Sequence, residues 1–521
     1  MPKPRTDRAA GVPQRACRSI IAAQEAADAA GGATCRPRRS DQNRNGRLGC
    51  GLIAILTLLW SFAVPQAVAD EPALPEGLGP ADAEPALPSG LGPADAEPAL
   101  PSGLGTPSPP PSMVSSPALM LDWSGFLDVR AGWRLRSDPA QRSRSLSEAR
   151  LQLQLDGRSD RIEFRLVGDL IYDDLSDTDG IDLQTGEGPI DLREANAAWR
   201  PDPLMDIKVG RQVLSWGTGD LVFINDLFPK DYRAFFLGRD IEYLKAPSDA
   251  GKVSLFFGGA NLDLVYMPTF EPDRFIDGSR LSFFNPFVGQ PAGRSNRLRV
   301  RKPKGPEFAM RLYGNIGAYE LAAYGYHGYW KSPAGYIPPW DAAIFPALSV
   351  YGFSVRGQGL GGIANLEAGY YDSRDDRDGD DPLVRNSELR VLVGYQRELI
   401  RDFTLGIQSE LEHMLDYGGY RQGLPSGAPV MDRNRYLLTL RLNRQLLDQD
   451  LTLSLFTFYS PTDQDAYLRP RLHYRLNDYL SWEIGANLFF GNRRDTFFGQ
   501  LQDNSNLYFA IRGSFAAGVR P

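Results

Sequence analysis

Cysteine is absent from everything after residue 50. The three that occur, Cys17, Cys35 and Cys50, all precede a segment that reads as an export signal, so the exported chain would carry none. That excludes a disulfide scaffold, a zinc–thiolate site and thiol catalysis. Histidine is nearly as scarce, with His327, His413 and His473 the only three. His413 follows Glu412 and His473 alternates with arginines, and the sequence has no G-x-S-x-G, H-E-x-x-H or phosphate-loop motif. No enzyme, cofactor or metal site is therefore expected.

Long apolar runs are missing too. LIAILTLLWSFAV, at 52–64, has thirteen residues, short of the roughly 20 that span a bilayer as a helix. It follows Arg44 and Arg47 and leads to Ala67-Val68-Ala69, the charged, apolar and small-x-small order of a secretory signal cut after Ala69. Residues 1–69 are thus read as an N-terminal extension plus signal. Cys50 precedes the apolar run, whereas a lipoprotein cysteine follows it. Ten of the 57 Lys and Arg and four of the 64 Asp and Glu lie before Asp70, so the exported chain carries 47 minus 60, or minus 13. Such a chain is a poor nucleic-acid binder.

Next comes a repeat. EPALPEGLGPADA at 71–83 recurs as EPALPSGLGPADA at 84–96 and begins a third time at 97. Its period is far below the range of about 20 to 50 residues used by solenoids, and Pro, Gly and Ala bury too little area to repay ordering. Residues 70–118 are read as a disordered leader, either a plain spacer or a contact for a periplasmic partner.

From 119 to 521 the sequence is strands. GFLDVRAGWRLR at 125–136 sets Leu127, Val129, Ala131, Trp133 and Leu135 against Asp128, Arg130, Arg134 and Arg136. LRPRLHYRL at 468–476 sets Leu468, Leu472 and Leu476 against Arg469, Arg471 and Arg475. A period of two sorts residues onto the two faces of a strand, which a helix cannot do. Tight connections such as 157–160, 201–203 and 315–317 alternate with long ones such as 175–190, 215–251, 268–306 and 416–432. The pattern predicts an all-β chain, a transmembrane antiparallel β-barrel of about 18 strands with short periplasmic turns and long extracellular loops, from about 124–136 to about 504–515. Trp133, Trp199, Tyr436, Tyr459, Tyr474, Trp482 and Phe490 fall near strand ends, as membrane-interface aromatics do. A large soluble β-domain would use the same alternation with a core in place of lipid. Pro470 is expected to mark a bulge.

The final strand, NLYFAIRGSF at 506–515, resembles the closing strand of bacterial outer-membrane proteins, and VGRQVLSWGTGD at 209–220 is similar to a Gly-Arg-Gln strand end of porin-like barrels, including the alginate-export type. The resemblance implies a porin-like channel in the outer membrane, set in outer-membrane lipid, for small solutes; an anionic preference rests on the inner-wall arginines, and export of an anionic polysaccharide is the alternative. It also implies a homo-trimer, although no segment marks a contact face.

In such a barrel, alternation places charges on the inner wall. Arg130, Arg134, Arg136, Arg469, Arg471, Arg475 and Arg512 come from neighbouring strands around the closure and form an expected basic patch, broken by Glu483. Glu367, Glu410 and Glu412 form an acidic counterpart across the bore. Opposed walls would orient dipolar solutes, unless each arginine simply pairs with a nearby acid. Segment 215–251 is too apolar for an exposed tip and is expected to fold inward as a constriction, with Lys230, Asp231, Arg233, Arg239 and Asp240 lining an eyelet. The cations Arg297, Arg299, Arg301, Lys302 and Lys304 are expected either to meet lipid phosphates on the outer face or to stay solvated. DTDGID at 177–182 and DSRDDRDGDD at 372–381 lack the spacing of a calcium loop.

Overall fold

The computed structural model describes residues 120–519, apart from 179 and 288. The signal, the upstream extension and the repeat-bearing leader lie outside the described residues. Eighteen strands form one antiparallel sheet. They are β1 Met120–Arg134, β2 Arg144–Arg158, β3 Ile162–Asp173, β4 Ile190–Asp202, β5 Met205–Val213, β6 Pro247–Phe256, β7 Asn261–Met267, β8 Glu307–Ile316 and β9 Tyr319–Tyr329. The remainder are β10 Ala347–Gly359, β11 Gly362–Ser373, β12 Glu388–Ile400, β13 Phe403–Met414, β14 Asn434–Leu446, β15 Leu451–Ser460, β16 Asp465–Arg475, β17 Leu480–Gly491 and β18 Asn506–Val519. Each strand pairs with its neighbours in sequence, and β1 pairs with β18 from Leu121↔Val519 to Arg134↔Asn506, closing the barrel. Closure removes both sheet edges and satisfies every ladder between strands, the condition for crossing lipid without helices.

The period of two holds on the folded wall. On β1, Phe126, Asp128 and Arg130 point into the bore and are buried, whereas Leu127, Val129 and Trp133 point out and stay 47%, 48% and 51% exposed. The outer surface carries many such residues, among them Leu166, Leu264, Phe353, Val393, Leu438 and Ile511. A band of this extent is unstable against water and stable against hydrocarbon. Exposed aromatics cluster at its two borders, with Trp123, Trp199, Tyr319 and Tyr479 near one end and Trp133, Tyr351, Tyr436 and Tyr459 near the other. Leu127 sits at the middle of β1, so Leu127→Arg is expected to cost about 2–4 kcal/mol in urea unfolding from lipid vesicles. Gln152→Arg, on the bore side of β2, should cost far less.

Connections differ between the two rims. At one they are short, as at 159–161, 203–204, 317–318, 360–361 and 401–402, and both β1 and β18 have their outer ends there. At the other they are long, apart from 461–464. Two expectations need correction. The first and last strands lie earlier and later than read, because β1 starts at Met120 and β18 runs past Phe515 to Val519. Pro470 makes no bulge: pairing with β17 lapses at Arg469 and Pro470 but resumes in the same register, Leu468↔Leu488 to Arg471↔Gly485. The missing amide costs one ladder bond without requiring an extra residue.

Candidate functional site

The connection 214–246, between β5 and β6, leaves the wall and crosses the bore. It is shorter than the expected 215–251, because 247–251 already belongs to β6. Its path is set by apolar residues that cannot remain in water. Trp216 packs edge-on against Phe228, ring centroids 4.9 Å apart, and meets Tyr324 of β9 at 6.2 Å. Ile224, fully buried, shares its cluster with Tyr371 and Leu392 of β11 and β12. A short helix, α1 (Tyr232–Leu237), then carries Phe235 and Phe236 to the opposite wall. Phe236 lies 5.2 Å from Tyr467 of β16 and 5.4 Å from Phe489 of β17, both T-shaped. Asp231 caps the helix by accepting from Ala234 N at 2.7 Å, and Gly238 ends it in the left-handed conformation. The result is a diaphragm with an apolar mini-core inside a barrel whose wall is otherwise polar within.

The charges expected to line an eyelet are instead the diaphragm's fastenings. Lys230 is buried, its Nζ 2.9 Å from Asp226 and 2.7 Å from the Phe228 carbonyl. Asp231 pairs with Arg274 at 3.4 Å, and Arg233 with Glu187. Arg239 donates to Glu148 of β2 at 2.9 Å. Asp240 faces Arg512 at 3.5 Å and Arg130 at 3.7 Å. Burial alone would raise the Asp240 carboxyl, but Arg512, Arg130 and Arg471 outweigh it and hold it below the usual carboxylate range.

The basic patch is likewise not a free ladder. Arg130 is 2.6 Å from Asp128, 3.5 Å from Glu483 and 2.7 Å from the Gly238 carbonyl. Arg512 reaches Asp128 and Glu242, each at 2.9 Å, and Arg471 reaches Glu483 at 3.5 Å. Arg469 lies over the Phe235 ring and donates to the Arg239 carbonyl at 3.0 Å. Arg134 is spent on the carbonyls of Arg142, Arg144 and Arg280. Two residues stand at the rims. Arg136 lies beyond β1, bonded to Gln502, and Arg475, the last residue of β16, sits at the short-turn rim against Asp450. On the acidic side, Glu412 is 3.1 Å from Arg435 and Glu410 is buried one turn of the pleat away. Glu367 is 1% exposed and accepts only from the diaphragm. The expected transverse field is therefore cancelled only in part: Arg130, Arg471, Arg512 and Glu412 each meet an opposite charge at contact distance, whereas Arg469 and Glu367 are held by uncharged groups.

Partly exposed charges flank the diaphragm. Towards the short turns, Asp220 faces Arg441 at 2.5 Å and Glu242 faces Arg512. Towards the long loops, a cleft is lined by both signs, including Asp173, Asp177, Glu187, Arg233, Arg239 and Arg280. The connection 268–306 crosses above it. Its cation run does not face lipid: Arg297 pairs with Asp177 and Lys302 donates to Gln184, both on the connection between β3 and β4. Arg301 lies 4.0 Å over the ring of Trp340, on the connection between β9 and β10. The run thus bridges loops on different sides of the mouth. Asp177, taken by Arg142, Arg294 and Arg297, is unavailable to a cation; the hydrogen bond from Arg294 holds its carboxyl below the usual range. Among the described residues, no group of three acids, histidines or cysteines is placed to hold a metal ion.

Sequence reasoning missed two features. Arg211, in the Gly-Arg-Gln stretch, ties β5 to Asp249 of β6 at 3.0 Å and to Glu271 of the 268–306 connection at 3.1 Å, so that motif roots both inward connections. His327 of β9 lies on the outer wall with its Nδ1 3.1 Å from Ser349 Oγ of β10. Arg374 stands 3.2 Å from the other ring nitrogen. A guanidinium only donates, so Nε2 accepts and Nδ1 carries the proton. That polarity is the reverse of a base activating a serine.

No protein-family model matches the sequence, and no curated protein matches it. Solved structures align with most of the described chain at low identity. Acinetobacter baumannii OccAB3 aligns with TM-score 0.48 and 10% identity over 76% of this chain and 99% of that one. OccAB1 of the same organism gives 0.46 and 10% over 77% and 97%. A BenF-like porin from Pseudomonas fluorescens Pf-5 gives 0.45 and 12% over 77% and 99%.

Proposed function

We propose that this protein is a porin-like channel of the bacterial outer membrane that passes small solutes through a constricted bore. The observation that carries this reading is the combination of a closed 18-stranded wall, an apolar outer band between two aromatic borders, and a connection folded into the lumen. A bore of this strand number is wide enough for water and solutes unless filled, and the inward connection narrows it to a passage that can discriminate. The short turns face the periplasm and the long loops the exterior, as in barrels whose two termini share the short-turn end. The expected result is stepwise conductance in planar bilayers and swelling of protein-loaded liposomes in small sugars or amino acids. A purified protein that neither conducts nor swells liposomes defeats the reading.

A preference for anions is proposed for the mouth, where Arg299, Arg301 and Lys304 are exposed, and not for the wall patch, whose arginines are tied to carboxylates, carbonyls and the Phe235 ring. Cations held over an entrance raise the local anion concentration. Replacing all three by Gln is expected to move the reversal potential in asymmetric salt towards cation selectivity, with conductance little changed. Gated export of an anionic polymer is the second reading, favoured by the apolar diaphragm itself; silence in bilayers until a periplasmic partner is added would support it.

A further inference from the structure

Glu367 is a carboxylate buried inside the barrel whose hydrogen bonds come from backbone amides and one hydroxyl, none from a guanidinium or ammonium group. Its Oε2 accepts from Thr218 N at 2.8 Å, Thr218 Oγ1 at 3.1 Å and Gly219 N at 3.1 Å, and its Oε1 accepts from Asn225 N at 2.7 Å. All four donors belong to the diaphragm. Successive amides turned to one point make a concave anion site, a nest, and a charged acceptor strengthens each bond. Gly217 makes the turn that aims them: its φ is +82, and a Cβ there would stand 2.8 Å from Glu367 Oε1. Around the nest, β11 offers inward residues at every second position. Asn365 donates to the Thr218 carbonyl at 3.2 Å, Tyr371 donates to the Ile224 carbonyl at 2.5 Å, and Asn225 donates to the Ala368 carbonyl at 3.2 Å. The fit is close enough that a Cβ on Gly352 of β10 would fall 1.8 Å from Asn225 Oδ1.

We infer that segment 217–225 is a carboxylate-binding site and that Glu367 is its built-in ligand, latching the diaphragm to β11. The nest is made of main chain, so it survives removal of the glutamate and is then open to a small free carboxylate. The latch differs from the far side of the diaphragm, where Phe235 and Phe236 are held by packing that no solute can replace. A carboxylate solute reaching the nest competes with Glu367 for the same four donors, so the site couples solute chemistry to the position of the constriction. This rests on the channel reading for its consequence, though not for the binding.

The test uses the full-length protein carrying Glu367→Ala, with Glu367→Gln as a milder variant that keeps one oxygen acceptor and loses the charge. Circular dichroism and heat-modifiable migration establish that the barrel has closed. Glu367→Ala is expected to conduct several-fold more than wild type, with flicker, and to become cleavable by trypsin after Lys230, which is buried in the latched form. Millimolar formate or acetate should restore both low conductance and protease resistance, whereas chloride or nitrate at equal ionic strength should not; Glu367→Gln should fall between. Wild-type conductance together with wild-type protease resistance in Glu367→Ala overturns the latch. An opened diaphragm indifferent to formate and acetate overturns the carboxylate site. If no variant conducts but cleavage remains formate-sensitive, the nest stands and the channel reading falls.

Discussion

Bilayers containing the Phe235→Ala/Phe236→Ala variant will carry several times the current of the wild-type protein, while the barrel unfolds at nearly the same denaturant concentration. Both side chains are almost fully buried, and Phe235 also lies beneath the Arg469 guanidinium at 4.6 Å. Truncating a buried phenylalanine costs about 3–5 kcal/mol, and two neighbours that share Tyr467 as partner will not simply add. The loss falls on the diaphragm and not on the wall, whose ladders run independently of it. Half of the diaphragm then has no apolar reason to stay in the bore, and α1, six residues long, is far below the length that is stable alone. Single-channel recording at fixed salt checks the current, and urea titration checks the wall. Unchanged current would mean that solutes pass where this packing does not stand.

Asp128→Ala will be among the most destabilising single changes in the wall, costing about 3–5 kcal/mol, and much of that loss will return in Asp128→Leu/Arg130→Met. Asp128 is the shared partner of Arg130 at 2.6 Å and Arg512 at 2.9 Å. Removing it leaves Arg130 buried, with Glu483 at 3.5 Å as its nearest wall carboxylate. The guanidinium then keeps only Glu483, Asp240 at 3.7 Å and the Gly238 carbonyl, having lost its closest carboxylate, whereas removing both charges still leaves Arg512 paired with Asp240 and Glu242. Equilibrium unfolding of both single variants and the double variant in one detergent gives the coupling energy directly. A double variant no more stable than Asp128→Ala would show that the pair does not act as a unit. The same substitution loosens Asp240, so a rise in conductance is expected alongside the loss of stability.

Much of this architecture could be read before any coordinates. Leu127, Val129 and Trp133 declare the lipid side of β1 because strand direction is local: one residue forward reverses the face, whatever the rest of the chain does. The strand count and the closure followed from the same rule applied along the chain, whereas the inward turn of 215–251 was expected only from its apolar content. What could not be read was which charge meets which. Alternation assigned Arg130 and Glu367 to the inner wall but said nothing of Gly238, 108 residues away, or of Thr218, 149 residues away, whose groups they hold. Arg136 falls beyond β1 for a related reason, since a period of two carries no signal for where a strand stops.

The sequence by itself determined a two-sided wall, greasy without and polar within, because side-chain direction in a strand depends only on neighbouring residues. Only the tertiary structure decided which interior charges meet an opposite charge, which are held by backbone groups, and that the inward connection is fastened on opposite sides of the bore. Those contacts depend on distances between segments far apart in the chain, and burial makes a charge left without hydrogen-bond partners too costly.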